Sequence, residues 1–443
     1  MTYFRICLMA ACGLVLGAAR ADSQPAPPRA PAPRSTMRLS AGERAAALTS
    51  IKALFQTTYV FPALRPAIIA QLDRGQRAGR YNVDDPLELA ERITDDLRSV
   101  SHDRHLALFV DPAGYAAANA PAKSDRGEAA FERRQAIRDH HGLAELKRLA
   151  GNVRYLRISG FEWVPDETGA AYDDAMRFLR DGDAVIIDLR GNGGGEHAAV
   201  RYLISHFMDP DVLELTFLEG ANSSQSRTLE YLPAGRLKGK PLYVLIDGGT
   251  GSAAEAFAYD VEQFKLGELV GAKTVGAANN NRLLPVAPGF LLSVSFGRPV
   301  HAISKTNWDG TGVNPTVDAA PPQALDVAHS LALSRLAQAP GASPDVVADA
   351  TWARLAVEAR LHPPALSAAQ LTALAGRYDD AELSVREAAL WLQRPGRPLQ
   401  RLTPLTADGL FAVEPSELLR ARITGNTLEL LWPGAPARVF TRR

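Results

Sequence analysis

The sequence predicts an α/β fold, with a core of alternating strands and helices, a small helical bundle before it and a separate small β-domain after it. Residues 141–335 alternate β-branched apolar runs with stretches of helical periodicity, residues 39–110 are patterned as helices, and from Ala375 short strands and turns take over. With 46% apolar and 22% charged residues over 443 positions, there is enough core-forming material for two or three domains.

Residues 1–21 read as a secretory leader: Arg5, an apolar run from Ile6 to Ala19, then Ala19-Arg-Ala21 before Asp22. An exported protein is expected, periplasmic or secreted. Lipoprotein anchoring at Cys12 is the less favoured alternative, because Met9-Ala-Ala11 matches such a signal poorly. Both cysteines, Cys7 and Cys12, lie inside the leader, which removes disulfides, a thiol nucleophile and thiolate metal ligands from the mature chain. No other segment reaches the roughly 18 apolar residues of a membrane span. Lys and Arg together number 49, as do Asp and Glu, so charge gives no reason to expect nucleic acid or an anionic membrane as a partner.

Residues 22–38, rich in Pro and Ala, read as an extended linker. Ser40-Ala-Gly-Glu43 has the form of a capping box, and Asp85-Pro-Leu-Glu88 caps a helix whose apolar positions are Leu89, Ile93 and Leu97. A strand from His105 to Val110 is followed by a polar, Ala-rich connection to about His141. Strands are expected from Val153 to Ile158 and from Ala184 to Leu189, with helices near Thr168 to Arg180 and from Glu196. A hairpin is expected across Ala287 to Ser304, helix and linker over 345–370, and the β-domain over 371–443.

Chemistry concentrates at two Gly-rich turns. Leu242-Tyr-Val-Leu-Ile246 is an apolar strand, Asp247-Gly-Gly-Thr-Gly251 allows a sharp reversal, and a helix follows, which puts Ser252 at the helix N-terminus. Taken alone, the segment favours an ordinary serine N-cap. As a nucleophile, Ser252 would have the Ala253 N–H and the positive end of the helix dipole facing a developing oxyanion. Asp188-Leu-Arg-Gly-Asn-Gly-Gly-Gly195 makes a second nest of backbone N–H groups. A dinucleotide fingerprint begun at Gly191 would need glycine where Glu196 stands, and the Gly-Lys-Ser/Thr end of a P-loop is missing. The loop is therefore either a tight turn or a second oxyanion donor. His140 and His141 are adjacent rather than at ligand spacing, and no His-Glu-x-x-His helix exists, so no zinc site is expected.

Leu189-Arg-Gly-Asn-Gly-Gly-Gly195 and Thr250-Gly-Ser-Ala-Ala-Glu255 together resemble the S41 serine peptidase family of tail-specific proteases, tricorn-type proteases and the interphotoreceptor retinoid-binding protein. The likeness continues through His141-Gly-Leu143, Gly151-Asn-Val-Arg-Tyr-Leu156, Val270-Gly-Ala-Lys-Thr-Val-Gly276 and Trp308-Asp-Gly-Thr-Gly-Val-Asn-Pro315, covering about residues 40–321. It implies a ClpP/crotonase-like βα core, a polypeptide substrate, and no cofactor or metal. Ser252 is the implied nucleophile, with Ala253 and a glycine of the 193–195 run, first of all Gly194, as oxyanion donors.

The tail-specific branch carries a lysine base after Thr-x-Gly, but Ala277 follows Thr274-Val-Gly276, and Lys273 lies on the wrong side of the turn. The resemblance therefore points to the tricorn-like and retinoid-binding-like branch, whose histidine aligns with His105 in Ser101-His-Asp-Arg-His105, with His102 in reserve. The acid four residues before Val313 is Asp309, an aspartate where the family usually has glutamate, and Arg104 stands where the tricorn type has serine. The rival expectation is a catalytically silent module of the same fold that binds apolar ligands. Glu255 reads as a local cap or pair.

Overall fold

The computed structural model describes residues 38–120 and 125–443; the expected leader and nearly all of the linker lie outside them. At its centre is a six-stranded sheet. Leu143–Leu149 pairs antiparallel with Val153–Ile158, and Ala184–Asp188, Leu242–Ile246, Glu268–Gly271 and Val317–Asp318 follow in parallel. Every residue of Ala184–Asp188 and Leu242–Ile246 is buried, as a parallel strand covered on both faces requires. One face carries the helices Glu167–Arg180, His197–Ser205 and Ala253–Gln263, whose Met176, Leu203 and Phe257 pack with Leu156, Ile187 and Val244. Ala324–Gln338 and Pro344–Leu361 cover the other, where Leu333 and Val357 meet Tyr155, Ile186 and Tyr243.

A second, antiparallel sheet runs Ala107–Val110, Phe290–His301, Leu213–Glu219 and Asn222–Arg227, with Asn280–Val286 also paired to Phe290–His301. The helices Ala41–Thr58, Arg65–Arg77 and Pro86–Ser101 pack on it, and Phe55, Ile93 and Leu97 share a core with Leu108, Phe290 and Leu292. Both expected N-caps form. Ser40 N–H donates to Glu43 Oε2 at 2.8 Å while Ser40 Oγ accepts from Glu43 N, and Asp85 Oδ1 accepts from Leu87 N at 2.8 Å. The C-terminal part is an eight-stranded antiparallel meander from Gly376–Tyr378 to Ala435–Thr441. A bridge between Tyr378 and Arg442 joins its first and last strands, giving a barrel-like closure around Tyr378, Phe411 and Leu430.

Three local expectations change. The supposed connection after Val110 holds two helices, Pro112–Asn119 and Asp125–Arg138. The first is started by Asp111, whose Oδ1 accepts from Gly114 N at 2.8 Å; the second rests on the helix propensity of its Ala, Glu, Gln and Arg rather than on an apolar stripe. The hairpin begins at Asn280, with Ala287–Gly289 as its turn rather than its first strand. The first strand starts at Ala107 instead of His105, because the chain is still turning at Asp103.

Candidate active site

The two Gly-rich turns leave the carboxyl ends of adjacent parallel strands, where an open α/β sheet places its ligands. Hydrogen bonds stitch them together: Gly191 N donates to Asp247 Oδ1 at 2.9 Å, Thr250 Oγ1 to Leu189 O at 2.9 Å, and Gly251 N to Asn192 O at 2.9 Å. Arg190 forks onto the buried Asp188 carboxylate, which also accepts from Tyr155 Oη at 2.7 Å. The turns are thereby one rigid unit.

Ser252 caps the helix Ala253–Gln263 with φ 51° and ψ −117°, a strained backbone for a residue with a side chain. The surroundings hold it there. Its N–H donates to Glu255 Oε2 at 2.9 Å. Glu255 is fully buried and reaches across to the next turn, accepting from Thr274 Oγ1 at 2.5 Å, Gly276 N at 2.6 Å and Ala277 N at 2.8 Å. Burial pushes its carboxyl up and these donors oppose the shift. Sequence reasoning saw only the capping half of this role. The Ser-x-x-Glu spacing was the signal, but nothing in it discloses the contact with 274–277.

The Ala253 N–H meets no acceptor among the described residues, whereas the Gly194 N–H donates to Asn192 Oδ1 at 2.9 Å. Gly194 lies hard against Ser252: at its φ of +111°, a Cβ would fall 2.7 Å from Ser252 Cβ and 2.9 Å from Ala253 N. Only glycine fits there. Ala277, at the position of the tail-specific lysine, is buried with its N–H on Glu255, and Lys273 is exposed.

The segment after Ala277 leads to the other half of the site. Ala278 N donates to Asp309 Oδ1 at 3.0 Å, Trp308 Nε1 to Ala277 O at 3.3 Å, and Asn279 Nδ2 to Asp103 Oδ2 at 3.3 Å. Asp103, His105 and Asp309 bring ligand-type atoms within 4.8 Å of one another, the one such group of three among the described residues. That set has the donor types for a cation, but it is also what an imidazole base needs around it. His105 is half-buried, and no hydrogen bond joins its ring to Asp309; its Nδ1 is walled off without a partner. Burial lowers the imidazole's pKa, while Asp103 opposes that and Arg98 adds to it. Asp309 is pushed up to about 7, by burial first and then by Asp103, against hydrogen bonds from Ala278 and Asn279. His102 is the left-handed C-cap of Pro86–Ser101, and its side chain is exposed. Asp103, the aspartate of the Asp-x-His pattern that selects His105, and Asn279, which bonds it, were given no role from the sequence.

Residues 152–319 match the model described as Peptidase family S41, and residues 39–140 match the N-terminal domain of Peptidase_S41 in eukaryotic IRBP. The carboxy-terminal processing protease CtpB of Bacillus subtilis (strain 168) is 26% identical over 179 residues, 40% of this chain and 36% of that protein, so the match spans only about a third of the relative's length. Among solved structures, the photosystem II D1 C-terminal processing protease superposes with a TM-score of 0.43 at 15% identity, over 64% of this chain and 94% of that one. For the tricorn protease the TM-score is 0.42 at 13% identity, over 65% of this chain and 35% of that one. The two family models follow one another along the chain and between them take in both halves of the site, and the chain belongs to peptidase family S41.

Proposed function

We propose that the chain is an exported serine peptidase of the histidine-using, tricorn-like branch. Ser252 Oγ attacks the scissile carbonyl as its proton passes to the ring of His105, giving a tetrahedral oxyanion. The Ala253 N–H holds that oxyanion, joined by the Gly194 N–H once it leaves Asn192 Oδ1. Collapse passes the proton from His105 to the leaving amine and leaves an acyl-enzyme, which water hydrolyses with His105 again as base. Asp309 orients the imidazole and steadies its charged form. The burial that depresses the His105 pKa keeps the ring neutral and able to take a proton at neutral pH.

The observation that carries this reading is the backbone of Ser252 at φ 51°, tied down through Glu255 beside an unspent Ala253 N–H. An N-cap serine needs no such conformation. Ala277 in place of a lysine supports the histidine branch, and the leader-like residues 1–21 support export, which fractionation of cells making the full chain would test.

The missing hydrogen bond between His105 and Asp309 favours the second reading, a silent apolar-ligand-binding module. A fluorophosphonate probe separates the two. Labelling of wild type that disappears in Ser252→Ala supports the peptidase; folded wild type that takes no label supports the module.

A further inference from the structure

Asp103 is a buried carboxylate at the site to which the proposed triad gives no part. It is 0% exposed. A carboxylate removed from water to that degree is tolerated only where donors or charges compensate it. Its Oδ1 accepts the His105 backbone N–H at 2.9 Å, its Oδ2 accepts from Asn279 Nδ2 at 3.3 Å, and its own N–H donates to Ser101 Oγ at 3.1 Å. The 103–105 turn is thus fixed at both ends, to the helix before it and to the 274–279 segment that also carries the hydrogen bond to Asp309.

We propose that Asp103 is a positioning residue for catalysis, a second acid that sets His105 through this turn and supplies the negative charge facing the imidazolium when Ser252 gives up its proton. The inference rests on the reading of His105 as the base. Neither aspartate hydrogen-bonds the ring, but Asp309 approaches His105 from a distant segment, whereas Asp103 is two residues away and accepts the His105 backbone N–H. The charges agree with the geometry. The Asp103 carboxylate raises the imidazole against burial, and burial first, with Asp103 second, pushes Asp309 up to about 7, so near neutral pH Asp309 is partly protonated and serves poorly as the anion beside the base.

The other charged or titratable groups around the ring are few. On Pro86–Ser101, Arg98 wraps the turn, donating to Arg104 O and Leu106 O at 2.8 Å each. Arg104 is exposed. Tyr59 is a buried phenol raised by burial and by both Asp103 and Asp309. Arg98 opposes a charged imidazole, and Asp103 is the group that favours it.

The test is an NMR titration of His105 in full-length Ser252→Ala, with and without Asp103→Asn, alongside the pH dependence of fluorophosphonate labelling in the Ser252-containing pair. With Asp103→Asn the His105 midpoint should fall by about one pH unit, as expected when an opposite charge a few ångströms away is removed, and labelling at pH 7 should slow about 10-fold. A purely structural Asp103 would lower the melting temperature and leave the midpoint in place, which would overturn the proposal. Should Asp103→Asn not fold, Asp103→Ser keeps an acceptor for the turn without the charge, and the same two outcomes decide. A coupled titration in a protein that never labels would sink the peptidase reading and, with it, the catalytic role of Asp103; labelling with an uncoupled His105 would sink only the role of Asp103.

Discussion

The two halves of the site are held by different means. Around Ser252 the constraints are many and lie within the βα core: the two Gly-rich turns are bonded to each other, and Glu255 joins the start of the helix to residues 274–277 through four hydrogen bonds. Around His105 they hold the backbone turn and leave the ring itself unbonded. The imidazole comes from the junction of the helical domain with the second sheet, Asp309 from the turn after Phe290–His301, and no hydrogen bond connects them. Ser252 is held by the βα core around it, while His105 depends on how the N-terminal helices seat on their sheet. Preorganisation of fixed dipoles is where much of an enzyme's rate originates. Damage to the first half should therefore cost rate and stability together, and damage to the second should show in the pH dependence.

The largest effect expected is at His105, the proposed base. His105→Ala should lower kcat/KM on a peptide substrate by about 10⁶-fold, as loss of a triad's histidine does, with the melting temperature close to wild type. His102→Ala, at an exposed helix cap, should stay near wild-type activity. A reversed ranking would move the base to His102. Next comes Glu255→Ala, which strips the acceptor from three backbone N–H groups and one hydroxyl. Removing a buried, hydrogen-bonded carboxylate of this kind costs on the order of 3 kcal/mol of stability, and a nucleophile out of place costs about 10²-fold in rate. Calorimetry and single-turnover labelling on the same sample check both. A variant with normal stability and slow labelling, or the reverse, would break the claim that one carboxylate does both jobs.

What the sequence disclosed follows the same division. Features of Ser252's half are contiguous: an apolar strand, a glycine turn and a helix make the serine's position legible, and the Leu189–Gly195 motif places the neighbouring loop. The strand from Val153 to Ile158 lies where its β-branched residues put it, and the caps at Ser40 and Asp85 are chemistry between near neighbours. Contacts between distant segments left no such trace. No periodicity reports that Glu255 meets Gly276, or that Asn279 meets Asp103, because each is an ordinary turn residue in its own segment. The helix Asp125–Arg138 was hidden for another reason: its stability comes from propensity, and a pattern search built on apolar stripes reads a polar helix as a connection. Asp309, with the short side chain of an aspartate, was singled out through resemblance, and no hydrogen bond joins it to the imidazole.

That short reach sets the smallest and most specific expectation. Burial and Asp103 push the Asp309 carboxyl up to about 7, whereas an unfolded aspartate titrates near 4. Between those values the folded chain holds a proton that the unfolded chain releases, so this group's contribution to stability is fully present below about 4 and is lost as pH rises through about 7. Asp309→Asn should flatten the melting temperature over that window, with its relative gain at the alkaline end. Activity should move the other way. The imidazolium gains from Asp309 only when the carboxyl is ionised, so the variant should lose about 10-fold at pH 8 and approach wild type at pH 6. If the deficit were the same at both pH values, Asp309 would be a structural turn residue, and the charge beside His105 would have to come from Asp103 alone.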